Sequence, residues 1–115
     1  MPRNQRLHPR LRVLLPVDLR VGGRRIEAVA SNLGVGGLFL LDDARLAGLD
    51  AVALFVYLPD GRVIEAGGRI ARRQDAPARG LEVPGYGLAF TQLAPSAARA
   101  IDEVVGGSAR RPVAA

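Results

Sequence analysis

The chain contains no cysteine, no lysine and no tryptophan, and only one histidine, His8. Without thiols there is no disulfide frame, no thiolate zinc site and no cysteine nucleophile. Without lysine there is no Walker-type phosphate loop and no Schiff base. His8 stands beside Pro9 with no acid close to it in sequence, so Ser31, Ser96 and Ser108 have no base paired with them. No His, Asp or Glu cluster has the spacing of metal ligands. Asp42-Asp43 and Asp102-Glu103 are carboxylate pairs, and both read as solvated surface. The apparatus of hydrolytic or metal catalysis is missing, and the expectation is a non-enzyme with no metal and no cofactor. Long apolar runs are missing too. Leu33 to Leu41 is nine residues with three glycines, too short to cross a bilayer, so no membrane insertion is expected. Met1-Pro2-Arg3 leads into arginines and not into an apolar signal region, and the expected location is the cytoplasm.

What is present suits one folded domain. The chain has 115 residues, 49% of them hydrophobic and 23% charged. A domain of this length buries roughly two-thirds of its unfolded surface, enough for a true core. The net charge of +5 is concentrated at the ends. Residues 1–12 hold Arg3, Arg6, Arg10 and Arg12 without an acid, and residues 109–115 hold Arg110 and Arg111 without one. Between them ten arginines face eleven acids, so no uniformly basic face is evident and no DNA partner is expected. Every cation is an arginine, a planar fork suited to phosphates, guanine edges and stacking.

Val13, Leu15, Val17, Leu19 and Val21 alternate with mostly polar residues, the period of a half-buried strand, and Pro16 on the outer phase marks an edge or a bulge. Gly22-Gly23 supplies a turn into a second strand over Arg25 to Ser31, with Ile26, Ala28 and Ala30 on one face. Leu38 to Leu41 reads as a short buried strand, and Asp42 to Asp50 as a polar connection. Val52, Leu54, Val56 and Leu58 make a strand apolar on both faces, followed by a Pro59-Asp60-Gly61 turn. Val63 to Arg72 continues extended, with a bulge or bend at Gly67-Gly68. In the last strand Tyr86, Leu88 and Phe90 point one way while Gly85, Gly87 and Ala89 keep the other face flat. Phe39, Phe55 and Phe90 are expected in the core. Pro95 opens a helical stripe of Ala97, Ile101, Val104 and Val105, with Gly106 placed to end it. Asp102 and Glu103 oppose the helix dipole, so packing must hold that helix. Six strands and one helix argue for a small antiparallel barrel or sandwich capped by a helix.

Two constellations carry chemistry. Arg6-Leu7-His8-Pro9-Arg10 sets two guanidiniums four residues apart, at most roughly 13–14 Å in an extended segment, a span that can grip one compact anion. A plain solvated basic arm would look the same. Asn32-Leu33-Gly34-Val35-Gly36-Gly37 lies between two strands and combines an amide with glycines that admit a close neighbour. A glycine-rich connection would look the same here. No helix pattern follows, so it is not a dinucleotide fingerprint.

In order and spacing these pieces resemble the PilZ domain: an Arg-x-x-x-Arg arm, then an Asn/Asp-x-Ser-x-x-Gly turn. The resemblance runs from about Arg6 to Val105 and includes Gly37-Leu38-Phe39-Leu40, Val56-Tyr57-Leu58-Pro59-Asp60-Gly61 and Gly85-Tyr86-Gly87-Leu88-Ala89-Phe90. It implies an all-β fold, a six-stranded antiparallel β-barrel with a C-terminal α-helix. It also implies a bacterial second-messenger receptor whose ligand is cyclic di-GMP. The implied divisions are a basic arm over 1–12, barrel plus helix over 13–106 and a flexible tail over 107–115. By position, Arg6 and Arg10 would hold guanines and phosphates, while Asn32, Gly34 and Gly37 would form the opposing turn. Gly34 is a departure, because the family pattern has serine there and its hydroxyl is missing. Gln5 precedes the first arginine and leaves the number of bound nucleotides open. The expected function is a single-domain cyclic di-GMP receptor that signals to a downstream protein by contact. The alternative is a degenerate PilZ-like adaptor that binds no nucleotide. A single-strand nucleic-acid binder would need more aromatics on a strand face than three Phe and two Tyr supply. With both arginines placed before the first strand, Arg6→Ala and Arg10→Ala are expected to spare the melting temperature.

Overall fold

The computed structural model describes residues 10–75 and 83–110, the last three by their helical backbone alone. Six strands follow in order: β1 (Leu15–Val21), β2 (Arg24–Gly34), β3 (Gly37–Leu41), β4 (Ala51–Tyr57), β5 (Val63–Gln74) and β6 (Gly85–Leu93). A 3-10 turn (Ala44–Leu46) joins β3 to β4, and α1 (Pro95–Arg110) ends the described chain. The strands close into a barrel in the order β1-β2-β3-β6-β5-β4, with every pair antiparallel. Closure leaves no free sheet edge, which removes the usual template for edge-to-edge association. Two hairpin meanders, β1-β2-β3 and β4-β5-β6, are joined by the β1–β4 and β3–β6 ladders.

The apolar alternation fills the barrel as expected. Leu19, Leu33, Leu40, Leu54 and Val56 are fully buried, and Ile101 of α1 packs onto the same core. Gly22 and Gly23 take φ of 55° and 82°, the left-handed pair that a tight two-residue hairpin requires. Pro16 is not at a sheet edge, since β1 has strands on both sides. It pairs with Val29 of β2, while the β4 ladder begins only at Val17, so its missing N–H falls where β4 does not reach. A register shift occurs at Gly67/Gly68, as their sequence suggested.

Three expectations need correction. Phe55 is half-buried on the barrel's outside, with the Arg20 guanidinium 5.2 Å from its ring centre, because β4 turns its smaller aliphatics inward. Gly106 does not end α1, which continues to Arg110; a helical glycine costs about 1 kcal/mol but is no steric block. Asp42 and Asp43 are not simply solvated, because each is held by an arginine. Asp42 takes two bonds from Arg73, at 2.9 and 3.0 Å, and Asp43 caps the 3-10 turn and pairs with Arg45 at 2.7 Å. The Arg45 bonds hold the Asp43 carboxyl at a pKa of about 2. With α1 running on to Arg110, Glu103 stands mid-helix and not at the negative end of its dipole; it accepts from Arg62 at 2.8 Å and ties the helix to the β4–β5 hairpin.

Asp18 is the buried charge of the described barrel, on the outer phase of β1 but 4% exposed. The Tyr57 hydroxyl donates to it at 2.8 Å and Arg25 lies 3.2 Å away. The Tyr57 bond is the largest influence holding the Asp18 carboxyl below the usual range, with Arg25 and Arg20 adding to it against desolvation. A carboxyl lowered in the folded state stabilises fully above its unfolded pKa, near 4, and loses that contribution as the pH falls through the lower folded value. Tyr57→Phe should therefore lower the urea midpoint at neutral pH, with the deficit shrinking as the pH drops below about 4. A deficit constant across that range would contradict the role given to Asp18.

Glycines also fix how β3 meets β6. A Cβ at Gly85 would stand 2.1 Å from the Leu40 carbonyl oxygen and 2.6 Å from the Phe39 ring, whereas one at Gly87 would meet nothing within 4 Å. Gly85→Ala should cost about 1–3 kcal/mol in urea unfolding, the usual penalty of overpacking. Gly87→Ala should stay within about 0.5 kcal/mol of the parent protein. Equal midpoints for the two variants would show that the β3–β6 spacing is not set by that glycine.

Candidate functional site

The site lies on the outside of the barrel, across β2, β3, β6 and β5. Gly34 pairs with Gly37, Gly37 with Ala89, and Ala89 with Arg69, so these four residues form one row over four strands. Side chains alternate across a strand, and Leu33, Leu38, Leu88 and Ile70 beside this row point into the core. The row itself therefore faces outward. Three of its members are glycine or alanine, and Gly87 extends the low relief along β6. The result is a flat floor beneath a cavity of about 600 Å³, walled by Arg10, Asn32, Phe39, Asp50 and Arg69.

A bulge aims Asn32 at this cavity. Plain alternation from Ile26, Ala28 and Ala30 would send Asn32 into the core. The β2–β3 register slips by one residue between Ala30 and Asn32, so Asn32 faces Phe39 on the outside and Leu33 takes the inward phase. Arg10 comes to it from the other side. Leu11 forms an isolated bridge with Leu33, N–H to O=C both ways at 2.7 and 2.9 Å, which docks the end of the arm on β2. The Arg10 Nη2 then donates to Asn32 Oδ1 and, at 3.4 Å, to the Gly37 carbonyl oxygen.

Of the residues singled out in sequence, Arg10, Asn32 and Gly37 converge on one point, and Gly34 lies one strand away from Gly37. Arg6 lies outside the described residues. Two readings change. Arg10 is half-buried and hydrogen-bonded to the barrel, so it is not an independent arm residue whose loss would spare the fold. Gly37 is demanded by packing: a Cβ there would stand 2.0 Å from the Leu88 carbonyl oxygen. Its glycine serves the β3–β6 ladder, and its carbonyl serves Arg10.

Sequence reasoning missed Arg69 and Asp50. Arg69 Nε and Nη2 reach the two Asp50 carboxylate oxygens at 3.2 and 2.8 Å, a two-pronged pair on the cavity wall. Asp50 is held in place from behind, since its carbonyl accepts the Ile70 N–H at 2.9 Å. The only sequence signal was the outward phase of β5 opposite Ile64, Ala66, Gly68 and Ile70, and it does not say which strand lies beside it. Among the described residues no His, Cys, Asp or Glu cluster could hold a metal ion, and no helix is long and apolar enough to cross a membrane.

Chemically, the arrangement offers guanidinium forks, a side-chain amide and a flat floor, groups that suit an anion carrying planar rings. No curated protein matches the chain. Among solved structures, Bacillus subtilis inhibitor of motility (MotI/DgrA) superposes with a TM-score of 0.76 at 18% identity, over 95% of this chain and 53% of that one. Borreliella burgdorferi PlzA, solved in complex with c-di-GMP, gives a TM-score of 0.57 at 16% identity, over 89% and 41% of the two chains. The chain thus spans about half the length of these structures, and at such identities the likeness is one of fold. A protein-family description, PilZ domain, matches residues 4–107, which takes in most of the arm, all six strands and most of α1. On that match, this chain belongs to the PilZ domain family.

Proposed function

We propose that this chain is a cyclic di-GMP receptor that passes its ligand state to another protein by contact. The observation that carries the reading is the meeting of Arg10, Asn32 and Gly37 at one cavity over a flat glycine and alanine floor. Cyclic di-GMP presents two phosphates and two guanines. A guanidinium fork takes a phosphate oxygen pair or the O6/N7 edge of guanine, and its face stacks on a base. The low relief at Gly87 and Ala89 leaves room for a ring to lie flat. A volume of about 600 Å³ falls within the range of small-molecule sites. PlzA, of the same fold, was solved in complex with c-di-GMP, which adds support. Arg6, four residues before Arg10, supplies the second fork of the arm in this reading. The location is cytoplasmic, where a nucleotide second messenger would be met.

The second reading is an adaptor that works through protein contacts without nucleotide. Gly34 favours it, because the turn lacks the hydroxyl that serine would supply.

Titration calorimetry with cyclic di-GMP, with GTP and an oligonucleotide as controls, separates the two. Selective binding of cyclic di-GMP supports the receptor, and no binding sinks it. Arg10→Ala should abolish or greatly weaken binding and also lower stability by about 1–2 kcal/mol, since a charge-assisted bond to Asn32 is lost. Parent affinity in Arg10→Ala would remove that residue from the site. Gly34→Ser should tighten binding about five- to thirtyfold, the worth of one added hydrogen bond. Gly34 is not among the described glycines with positive φ, so serine meets no backbone strain of that kind. A folded Gly34→Ser variant that binds nothing would move the assignment to the adaptor.

A further inference from the structure

Arg69 and Asp50 form a pair that the fold does not require. Both side chains are more than half exposed, at 62% and 65%, and an exposed pair contributes little to stability. Their position is unusual in another respect. The Arg69 fork stands on the wall of the cavity that Arg10 and Asn32 enter, in the row that runs from Gly37 through Ala89. Two strand spacings separate Gly37 from Arg69, about 10 Å of flat floor. The cavity thus has Arg10 beside Gly37 and Arg69 on the far side of that floor.

We propose that Arg69 is a further ligand-binding residue of this site, and that Asp50 is a built-in competitor occupying its fork where a ligand phosphate would sit. The proposal rests on the receptor reading above and adds to it a determinant of affinity. The geometry is that of a stand-in. The carboxylate engages Nε and Nη2 together, with one oxygen on each, and a phosphate offers the same pair of acceptors to the same edge. Asp50 can yield without disturbing the barrel, because its backbone carbonyl keeps the Ile70 N–H of β5 when the carboxylate releases Arg69. Each cyclic di-GMP phosphate is a diester with one negative charge, like the carboxylate, but the ligand also meets Arg10 across the cavity, so exchange favours the ligand. Asp50 nonetheless lowers affinity twice over. It must be displaced, and its charge then stands beside the ligand's.

The test is titration of the whole chain with cyclic di-GMP in four forms: parent, Asp50→Asn, Arg69→Ala and the double variant. Asp50→Asn should bind roughly three- to tenfold tighter than the parent, the scale of an exposed charge pair together with relief of repulsion. Arg69→Ala should bind at least tenfold weaker. In the double variant the gain from Asp50→Asn should fall to the part that comes from charge repulsion, because the exchange acts only through the fork that Asp50 occupies. Melting temperatures should stay close to the parent's in all three variants, as expected of exposed residues, which separates binding from folding. If the parent binds and Asp50→Asn is no tighter, the competitor role is overturned while the receptor reading stands. If the full gain survives in the Arg69→Ala background, Asp50 acts by general charge alone and the exchange is wrong. Unchanged affinity in Arg69→Ala removes that residue from the site. If no form binds cyclic di-GMP, both the inference and the receptor reading fall.

Discussion

The site depends on how closely β3 and β6 approach. At one end of their ladder Gly37 lies against the Leu88 carbonyl, and at the other Gly85 lies against the Leu40 carbonyl, each closer than any Cβ would allow. That ladder joins the β1-β2-β3 meander to the β6-β5-β4 meander. It therefore brings Asn32 and Arg10, which belong to the first half, onto one surface with Arg69, which belongs to the second. Without the two glycines the halves could still be hairpins, but the row from Gly34 to Arg69 would not be level.

Packing and recognition use opposite faces of the same strands. Leu33, Leu38, Leu88 and Ile70 fill the barrel, and the residues alternating with them make the floor of the cavity. Register is strongly specified where one face is apolar, because a slip by one residue would expose the whole core set. The core thereby holds the outward residues in register as well. The β2 bulge is the exception that the site needs, a local slip that changes the phase of Asn32 while Leu33 restores burial.

Charge follows a similar economy. Among the described acids, Asp18, Asp42, Asp43, Asp50, Asp60 and Glu103 each meet an arginine side chain. Most of these pairs are exposed and fix side-chain direction more than they add stability. Asp18 differs because it is buried and takes the Tyr57 hydroxyl as well, which joins β1 to β4 on the wall away from the cavity. At the cavity itself the Asp50–Arg69 pair keeps an arginine oriented across the floor from Arg10.

Much of this was legible from residue order. The period-two runs marked the strands, because a half-buried strand must alternate. Gly22-Gly23 and Pro59-Asp60-Gly61 marked hairpins, because few residues accept those backbone angles. The flat phase of Gly85, Gly87 and Ala89 was visible in the alternation, whereas the pairing of Arg10 with Asn32 and Gly37 came only from the resemblance to the PilZ domain. Other features were decided only by tertiary structure. Which strand lies beside which is a matter of long-range pairing, and so Arg69 and Asp50, distant in sequence from Arg10, showed no sign of sharing its cavity. The phase of Asn32 depends on a bulge that alternation does not encode. Arg10 looked like part of a free arm because a single bridge, Leu11 to Leu33, is too short a pairing to leave a periodic signature. Sequence determines which residues are apolar and where the chain can turn; only closure of the barrel decides which polar residues meet, since that depends on contacts between segments that carry no local mark of each other.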